Sequence, residues 1–518
     1  MQQGYTEPQY NAVDWIAHHA RSSPHKTAFI ELPSERAFTY RESDERIGRL
    51  AAHLKQLGIG KGDRVGFLAL NTTDILELCF AAWRLGGIVL ALNFRLTAAE
   101  LEFIISDATP SVVVHDRDMN AVVTELQTRT AVGHWIETGG DGSDSAYEEA
   151  MAAATDPITE CLPQPLQTQC MLMYSSGTTG RPKGVIITHG MLSFSAQAGV
   201  GPGFNNTASV SLAAMPLFHI AAMNVSCMPA IFIGATTVVM RGFDPGAALS
   251  AIGNAMLGVT HFFAVPAAFN AMRQHPDAAT TDFSGLVTVL SGAETVPPPL
   301  VAWWGKRGVT LQEGYGLTET GGQGCLLGKP DVGRKIGSAG KSLMHSHLKI
   351  MRDKDTAAAA GEAGEIWIQG AVVTPGYWNR PEATRDAFHD GWFRTGDIGR
   401  MDEDGYFYIE DRLKDMYISG GENIYPAEIE GVLYGIEAIA EVAVIGVADG
   451  TWGEVGCAVV VLKPDQRLDL ETVTVFCGDR LATYKHPQHL VFVDALPRNA
   501  TGKVLKFELR KSVAGMAG

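Results

Sequence analysis

The sequence is poor in the features that mark secreted, zinc-binding or nucleic-acid-binding proteins. Its seven cysteines are spread over 518 residues. They show no CxxC or CxH spacing, so neither a zinc site nor a disulfide framework is indicated. The 41 Lys and Arg are outnumbered by 57 Asp and Glu, which gives a net charge of -16. Because nucleic acids and anionic membranes attract clustered positive charge, this balance argues against both as main partners. Any phosphate ligand must therefore be met by local groups.

Targeting signals are also lacking. The first residues, MQQGYTEPQYNAVDW, have no basic region before an apolar run, and the last, VAGMAG, match neither a lipidation signal nor a peroxisomal SKL. One uncharged stretch, 219–240, is long enough to cross a bilayer. Asn224, Pro229 and Gly234 interrupt it, however, and AIFIGATTVVM is typical of a buried strand that follows a short buried helix. We therefore expect a cytoplasmic protein without a transmembrane segment.

Length and patterning indicate two domains. A chain of 518 residues exceeds the roughly 250 to 300 residues that one hydrophobic core supports. Apolar β-branched runs such as DRVGFLAL, PSVVVHD and VTHFFAVP alternate with amphipathic segments. This pattern predicts an α/β fold, with layered sheets flanked by helices, in a large N-terminal domain over residues 1–413. The charged, glycine-rich stretch IEDRLKDMYISGGENIYPAEIE predicts a boundary, with a small α+β domain over residues 414–518.

The segment from Tyr174 to Gly184, YSSGTTGRPKG, has the composition of a phosphate-binding loop. Its glycines allow backbone N–H groups to approach phosphate, its hydroxyls donate hydrogen bonds, and Lys183 adds positive charge. It does not fit the Walker pattern GxxxxGK followed by Ser or Thr. The alternative is a plain turn between the strands CMLM and VIIT, which eleven residues in this order make improbable.

These eleven residues resemble the signature loop of the adenylate-forming superfamily, which contains acyl-CoA synthetases, peptide-synthetase adenylation domains and firefly-type luciferases. Five further motifs follow in that family's order: GYGLTE, GWFRTGD, DRLKD, SGGENIYPAEIE and PRNATGK. The resemblance covers the chain from about Thr39 to Lys503. It implies the adenylate-forming enzyme fold, in which the small domain is mobile and turns about a hinge at Lys414.

The resemblance implies an ATP site. Tyr315 would stack on adenine, Asp397 would accept the ribose hydroxyls, and Arg412 would contact phosphate and ribose oxygens. Taken alone, Asp397 would be a turn or helix-capping residue and Arg412 part of a surface ion pair. The full implied set for ATP or AMP is Ser175, Ser176, Gly177, Thr178, Thr179, Gly180, Lys183, Gly292, Ala293, Glu294, Glu313, Gly314, Tyr315, Gly316, Thr318, Asp397, Ile409, Arg412 and Lys503. Relatives often carry Gln at the position of Glu313, which leaves the polar contact at this edge of the base open.

The implied catalytic residues screen the charge of two anionic substrates. Glu319, with Thr178, would hold Mg²⁺, and Thr318 would hold an α-phosphate oxygen. Lys503 would reach from the small domain and neutralise charge between carboxylate and α-phosphate. Without the resemblance Lys503 would be a solvated lysine and Glu319 a solvated loop residue. The implied catalytic set is Lys503, Thr318, Glu319, Lys183 and His219.

Two more sites follow from the resemblance. Coenzyme A would bind at Lys414, Ser419, Gly420, Gly421 and Glu422, where glycines let the thin thiol arm pass close to the backbone. The acyl pocket would be lined by His219, Met223, Ser291, Gly316, Gly321 and Gly322. The glycine-rich run TGGQGCLL after Glu319 favours a long or bulky acid, although fatty, aryl and alicyclic acids all remain open.

The expected activity is that of an ATP-dependent acyl-CoA ligase. It activates a carboxylic acid to acyl-AMP with release of pyrophosphate, then forms the acyl-CoA and releases AMP. Its substrates and cofactors would be ATP, Mg²⁺, coenzyme A and a small carboxylic acid, and a homodimer is one expectation for its assembly. Two alternatives remain. The acyl group passes to another acceptor, such as a carrier-protein thiol or an amine, or the chain is a non-catalytic nucleotide-binding regulator.

Overall fold

The computed structural model describes the chain outside residues 1–9, 176–181, 201–205, 295, 413–414, 420–421, 425, 450–451, 482, 499–503 and 515–518. The strands, in chain order, are β1 (Thr27–Leu32), β2 (Ala37–Thr39), β3 (Arg64–Leu68), β4 (Ile88–Ala91), β5 (Val112–Asp116), β6 (His134–Thr138), β7 (Gln169–Ser175), β8 (Lys183–Thr188), β9 (Val210–Ala213), β10 (Thr236–Met240), β11 (His261–Ala264), β12 (Thr288–Gly292), β13 (Leu311–Tyr315), β14 (Cys325–Leu326), β15 (Lys341–Ser342), β16 (Ser346–Met351), β17 (Gly364–Gly370), β18 (Phe388–His389), β19 (Trp392–Met401), β20 (Phe407–Arg412), β21 (Tyr417–Ser419), β22 (Glu422–Ile424), β23 (Ile439–Asp449), β24 (Gly453–Leu462) and β25 (His489–Phe492).

The helices, in chain order, are α1 (Trp15–Ser22), α2 (Tyr40–Gln56), α3 (Thr73–Arg84), α4 (Ala98–Ala108), α5 (Asn120–Arg129), α6 (Ala146–Ala153), α7 (His189–Val200), α8 (Met228–Phe232), α9 (Pro245–Gly253), α10 (Pro266–Gln274), α11 (Pro298–Lys306), α12 (Pro381–Ala387), α13 (Pro426–Leu433), α14 (Leu470–Cys477) and α15 (Lys506–Ala514). A π-helical segment, Ala222–Cys227, runs directly into α8.

Two largely parallel sheets form most of the N-terminal part. One has six strands in the order β6-β5-β3-β4-β7-β8, with only β8 antiparallel to its neighbour. The other has nine strands in the order β15-β14-β13-β12-β11-β9-β10-β1-β2, and its strands from β13 to β1 are parallel. Parallel strands covered on both faces are buried along their whole length and mostly apolar, as in β4 and β10.

Helix α3 lies between these two sheets. It contacts β4 of the first and β1 of the second, and all 12 of its residues are buried. The Thr72 side chain caps it by accepting a hydrogen bond from the Asp74 backbone N–H, and Gly86 follows its end with a left-handed φ of 76°. A helix enclosed on every side must be apolar around most of its circumference, which the sequence ILELCFAAW provides.

Two smaller antiparallel or mixed sheets follow. The order β16-β17-β19-β18, with β20 beside β19, precedes the boundary predicted from the sequence. The last sheet, β22-β21-β24-β23 with β25 parallel to β24, has its own cores, in which Leu433 and Val473 pack on one face and Leu509 on the other. This sheet packs with α13, α14 and α15 as a smaller α+β unit that follows β20.

The stretch at 219–240 lies largely in the core of the fold, as expected. It forms the π-helical segment, α8 and the strand β10, and no helix within the described ranges has the length and apolar character to cross a bilayer. All seven cysteines fall within the described residues as free thiols, and six of them are buried.

Candidate active site

Several of the predicted site residues lie where strands of the two large sheets end. Strand β7 of the six-stranded sheet ends at Ser175, and β12 and β13 of the nine-stranded sheet end at Gly292 and Tyr315. Strands β12 and β13 are parallel, with Gly292 opposite Gly314. In open α/β sheets, ligands bind at the carboxyl ends of parallel strands. The nucleotide motifs, far apart in sequence, therefore occupy the edge where such a ligand is expected.

The phosphate loop joins β7 to β8 as an antiparallel hairpin. Ser175 lies opposite Lys183 in the register of the two strands. The Lys183 ammonium stands 5.2 Å from the centre of the Tyr377 ring, a cation–π distance. The predicted loop residues Ser176, Gly177, Thr178, Thr179 and Gly180 lie outside the described residues.

Tyr377 connects the lysine to the predicted metal ligand. Its hydroxyl donates a hydrogen bond to Glu319 Oε1 at 3.0 Å, and burial raises the pKa of this phenol, so it remains a donor. Tyr377 forms a bridge with Val185, and the backbone N–H of Thr374 donates to the Glu319 carbonyl at 2.8 Å. The segment that contains Tyr377 thus holds Glu319 close to Lys183.

Tyr377 was not predicted as a site residue. It lies in the tetrapeptide PGYW, between β17 and α12. A tyrosine within a glycine-containing turn carries no periodic signal of its own. Its role arises from the pairing of this turn with β8.

The surroundings of Glu319 fit a magnesium ion. Mg²⁺ in nucleotide sites is held by one or two carboxylates together with substrate phosphates and water. No cluster of three or more His, Cys, Asp or Glu able to form an all-protein metal cage occurs in the described ranges. Glu319, which Tyr377 holds near Lys183, supplies a single carboxylate, as in the first arrangement. When bound, the ion supplies charge neutralisation on the phosphates.

Tyr315 and Asp397 form one unit at the predicted nucleoside site. The Tyr315 hydroxyl donates to Asp397 Oδ2 at 2.7 Å, and burial raises the pKa of Tyr315 well above its usual value. Asp397 is itself buried, on β19, and lies opposite Arg412 of β20. This bond fixes the orientation of the carboxylate. The Arg412 side chain falls outside the described atoms, and Ile409 lies on the same strand opposite Gly399.

The turn after β12 is tightly constrained. A side chain at Gly292 would collide with the Gly314 backbone, and Ala293 adopts a left-handed φ of 70°. Non-glycine residues seldom adopt this conformation, and where it persists it often marks a functional turn. Glu294, the next residue, lies 3.6 Å from the Arg498 guanidinium of the C-terminal unit.

Glu313 is buried, and its Oε1 atom has one hydrogen-bond partner. This oxygen accepts a hydrogen bond from the Val296 backbone N–H at 3.3 Å. Burial raises the pKa of Glu313 to about 8, so the carboxyl is largely neutral at physiological pH. A neutral carboxyl carries one O–H donor beside an acceptor, which makes it resemble the glutamine amide found at this position in relatives.

The predicted acyl pocket gathers residues from three segments. His219 and Met223 stand at the start of the π-helical segment, where the Met223 N–H donates to the His219 carbonyl at 3.2 Å. Burial lowers the pKa of His219 to about 4, so the ring is neutral, and its Nδ1 accepts from the Ala221 N–H. Gly321 and Gly322 adopt left-handed φ values of 61° and 80°.

Two further predicted residues, Gly316 and Thr318, contact the same turn. Gly316 packs against the Gly322 carbonyl so closely that a side chain would collide with it. Thr318 lies in the short helical turn Thr318–Thr320, and its carbonyl accepts from the Gly321 N–H at 3.1 Å. Ser291, at the end of β12, is buried.

The predicted coenzyme A and lysine segments are partly described. Ser419 ends β21 opposite Glu422 and also pairs with Gly453. Lys414, Gly420, Gly421 and Lys503 lie outside the described residues, as does the side chain of Glu422. Their roles remain predictions, as do the division at residue 413 and the hinge.

Comparison with known sequences identifies the family. The AMP-binding enzyme family matches residues 16–378, and the AMP-binding enzyme C-terminal domain matches residues 428–503. The chain belongs to the AMP-binding enzyme family. The predicted resemblance to adenylate-forming enzymes is therefore confirmed.

Relatives of this AMP-binding enzyme extend over nearly its whole length. A feruloyl-CoA synthase from Amycolatopsis sp is 40% identical and aligns over 96% of this chain and 98% of its own. The long-chain-fatty-acid–CoA ligase FadD13 of Mycobacterium tuberculosis is 38% identical, with the same two coverages. The solved o-succinylbenzoate CoA synthetase of Bacillus subtilis, in complex with its acyl-adenylate, is 31% identical with a TM-score of 0.87, over 97% of this chain and 98% of that one. The predicted fold class is confirmed by this likeness.

Proposed function

We propose that this enzyme joins a carboxylic acid to coenzyme A in two steps. The acid attacks the α-phosphorus of ATP, which releases pyrophosphate and forms acyl-AMP. The thiol of coenzyme A then attacks the acyl carbon, which releases AMP. This is the reaction of an AMP-forming acid–thiol ligase.

The observation that supports this function best is the pair of tyrosine contacts at the strand ends. Tyr377 joins Glu319 to Lys183, and Tyr315 joins Asp397 to the end of β13. The first pair provides a carboxylate and a cation for a Mg-bound phosphate chain, and the second provides a carboxylate and a ring for a nucleoside. A site with both parts holds ATP in one orientation, which in-line displacement requires.

Residues of this chain account for the steps before thiol attack. Lys183 binds and orients the phosphates. Glu319 would hold the Mg²⁺ ion that binds to the same phosphates. His219, at the predicted acyl pocket, is neutral because burial lowers its pKa. It therefore packs against the acid without attracting the carboxylate away from the phosphorus. Lys503 screens the charge that builds between the two anions, as its family counterpart does.

The acid belongs to the fatty, aryl or alicyclic classes. The relatives are named for feruloyl, long-chain fatty and indoleacetate substrates, which share an apolar body with one carboxylate. Buried Met223 and Ile220, with the two glycines at 321 and 322, provide apolar surface and space for such a body. The proposal also includes a cytoplasmic homodimer, which cell fractionation and light scattering of the purified enzyme would test.

The test is acid-dependent AMP release from Mg-ATP over a panel of fatty, aryl and alicyclic acids, each with and without coenzyme A. Mass spectrometry identifies the products. We expect release that rises sharply with coenzyme A and gives an acyl-CoA mass. Adenylate without thioester would indicate another acceptor, and no release with any acid would favour a nucleotide-binding regulator.

A pair of variants controls the assay. Glu319→Gln should reduce AMP release by at least about a hundredfold, since it removes a charge that holds the metal. Glu403→Gln alters an exposed glutamate in the turn before β20 and should leave the rate unchanged. Equal rates for the two variants would contradict the role assigned to Glu319.

A further inference from the structure

Asp107, which belongs to none of the sequence motifs, contacts both of the segments that border the predicted phosphate site. It lies near the end of α4, and only 13% of its side chain is exposed. Its Oδ2 atom accepts a hydrogen bond from the Tyr174 hydroxyl at 2.7 Å, and its Oδ1 atom accepts from the Arg380 guanidinium at 2.8 Å. Its backbone carbonyl accepts from the Trp378 indole N–H at 3.0 Å. One residue therefore connects two parts of the chain that lie far apart in sequence.

On one side, Asp107 holds the start of the phosphate loop. Tyr174 is the first residue of that loop and lies opposite Gly184 in the register of β7 and β8. The Tyr174 ring packs on Gly184 so closely that a Cβ atom there would stand 2.9 Å from it. Burial raises the pKa of Tyr174, so its hydroxyl keeps the proton that it donates to Asp107. The strand position of Lys183, the residue before Gly184, is thus fixed relative to α4.

On the other side, Asp107 holds the segment 374–380, which contains Tyr377. The backbone N–H of Trp378 donates to the Gly184 carbonyl at 2.7 Å, while its indole donates to Asp107. Arg380 forms the ion pair with Asp107 at the end of the same segment. Strand β8 and helix α4 therefore hold the chain around Tyr377 together, and Tyr377 in turn donates to Glu319.

We propose that Asp107 is a positioning residue for the triphosphate of ATP. It acts through Tyr174 on the loop that carries Lys183, and through Arg380 on the segment that holds Glu319. It thereby sets the separation between the cation and the carboxylate that would meet the Mg-bound phosphate chain. Groups already held at the right separation bind a ligand more tightly, because less freedom is lost on binding. This inference rests on the ATP site of the proposed function and adds a residue to it.

The test compares the binding of Mg-ATP with that of AMP, by isothermal titration calorimetry of the full-length enzyme. AMP lacks the two outer phosphates, so its affinity reports on the nucleoside part of the site. We expect Asp107→Ala to raise the Kd of Mg-ATP about tenfold and the Kd of AMP by less than about twofold, because only the phosphate chain depends on this separation. A merely structural role would weaken the binding of both ligands alike.

A double-mutant cycle connects the effect to Tyr377. If Asp107 acts by holding Tyr377 against Glu319, Asp107→Ala and Tyr377→Phe disturb the same contact. Their combined effect on the Kd of Mg-ATP should then be smaller than the product of the separate effects. Tyr174→Phe keeps the ring on Gly184 and removes one contact of Asp107. It should show the same selective loss of Mg-ATP binding, and it keeps the test valid if Asp107→Ala unfolds.

Asp402→Ala is the matched control. Asp402 lies in the turn between β19 and β20, and its carboxylate also accepts from a tyrosine hydroxyl and from a cation. These partners are Tyr408 at 3.2 Å and Lys335 at 2.7 Å. The control should leave both dissociation constants unchanged.

The outcomes separate the inference from the function, since the binding assay needs no acid and no turnover. Equal rises in Kd for Mg-ATP and AMP, independent effects in the cycle, or the same selective loss in Asp402→Ala would overturn the inference while the ligase function stands. Selective loss of Mg-ATP binding without acyl-CoA from any acid would overturn the ligase function and support the inference. Failure of the wild-type enzyme to bind Mg-ATP would overturn both.

Discussion

At the scale of single residues, the site depends on side chains that hold other side chains in place. Tyr377 touches both the cation and the carboxylate that would meet the triphosphate, and Tyr315 does the same for the carboxylate that would meet the ribose. Each phenol is partly buried and donates to a carboxylate. Such contacts fix orientation before substrate binds, which is how preorganised sites act on charge.

Tyr377→Phe tests this arrangement. The variant keeps the ring beside Lys183 and removes the hydrogen bond to Glu319. Because hydrogen bonds to charged groups contribute roughly 1.5 to 3 kcal/mol, we expect kcat/KM for ATP to fall at least about tenfold. Titration of Mg²⁺ at fixed ATP should also show a changed half-saturating concentration. Tyr408→Phe, which removes a hydroxyl bonded to Asp402 at 3.2 Å, is the control, and an equal loss there would contradict the assignment.

Glu313 gives a pH-dependent stability. Its pKa rises from 4.5 in the unfolded chain to about 8 in the fold because of burial. Below the lower value both states carry the proton. Between the two values the unfolded chain has lost its proton while the fold retains it, so stability falls as pH rises, by up to about 1.4 kcal/mol per pH unit.

Glu313→Gln should remove this dependence. Glutamine has nearly the same shape and stays neutral, so the variant should gain thermal stability over wild type as pH increases from about 5 to about 8. Thermal unfolding midpoints of both proteins at intervals across that range provide the measurement. A constant difference between them would mean that Glu313 is ionised in the fold.

At the scale of elements, buried ion pairs lock the first helices together. Arg84, at the end of α3, is fully buried and donates to Asp14 at 2.8 Å before α1 and to Asp44 on α2. It also donates to the carbonyl of Ile158 at 2.9 Å. One guanidinium therefore satisfies acceptors from three segments that surround the central helix.

Arg84→Met should destabilise the enzyme by about 3 to 5 kcal/mol, because it leaves Asp14 without its counter-charge in a largely buried position. Arg129→Met is the matched control. Arg129 pairs with Glu125 on the exposed face of α5, and such surface pairs contribute about 1 kcal/mol or less. Chemical denaturation of both variants measures the difference, and similar losses would show that burial does not strengthen the Arg84 contacts.

Contacts between elements also explain which parts of the candidate site could be predicted from the sequence. The loop of Tyr174 to Gly184 and the motifs at Tyr315, Glu319 and Asp397 could be predicted through the family resemblance, because the residues of each motif are neighbours along the chain. The contacts of Asn224 and Tyr377 were not predicted. Asn224 was noted only as an interruption of an apolar run, since nothing in its neighbours along the chain indicates that it meets Gly321.

At the scale of the whole molecule, Arg498 joins the two units. It donates to Glu441 of its own sheet at 2.7 Å and lies 3.6 Å from Glu294 at the end of β12. Arg498 is the second residue of the motif PRNATGK, which ends at Lys503. The pair with Glu294 therefore holds the start of this motif beside the turn after β12, at the predicted nucleotide site.

Arg498→Met should separate the two half-reactions. We expect acid-dependent exchange of pyrophosphate into ATP to fall on the order of tenfold, because small misplacements of a catalytic group are costly. Thiolysis of supplied acyl-adenylate by coenzyme A should change much less. Arg480→Met, an exposed substitution in the same unit, should affect neither reaction. An equal loss in both half-reactions would contradict a role for Arg498 in the first alone.

The sequence by itself determined the α/β class, the two-part organisation and the family, because these depend on apolar periodicity and on motifs whose residues are neighbours along the chain. The tertiary structure decided which side chains share a space. Tyr377 meets Glu319, Asn224 meets Gly321 and Arg498 meets Glu294 across separations of 58, 97 and roughly two hundred residues. Such contacts are set by strand order and helix packing, and so they leave no pattern within a short stretch of sequence.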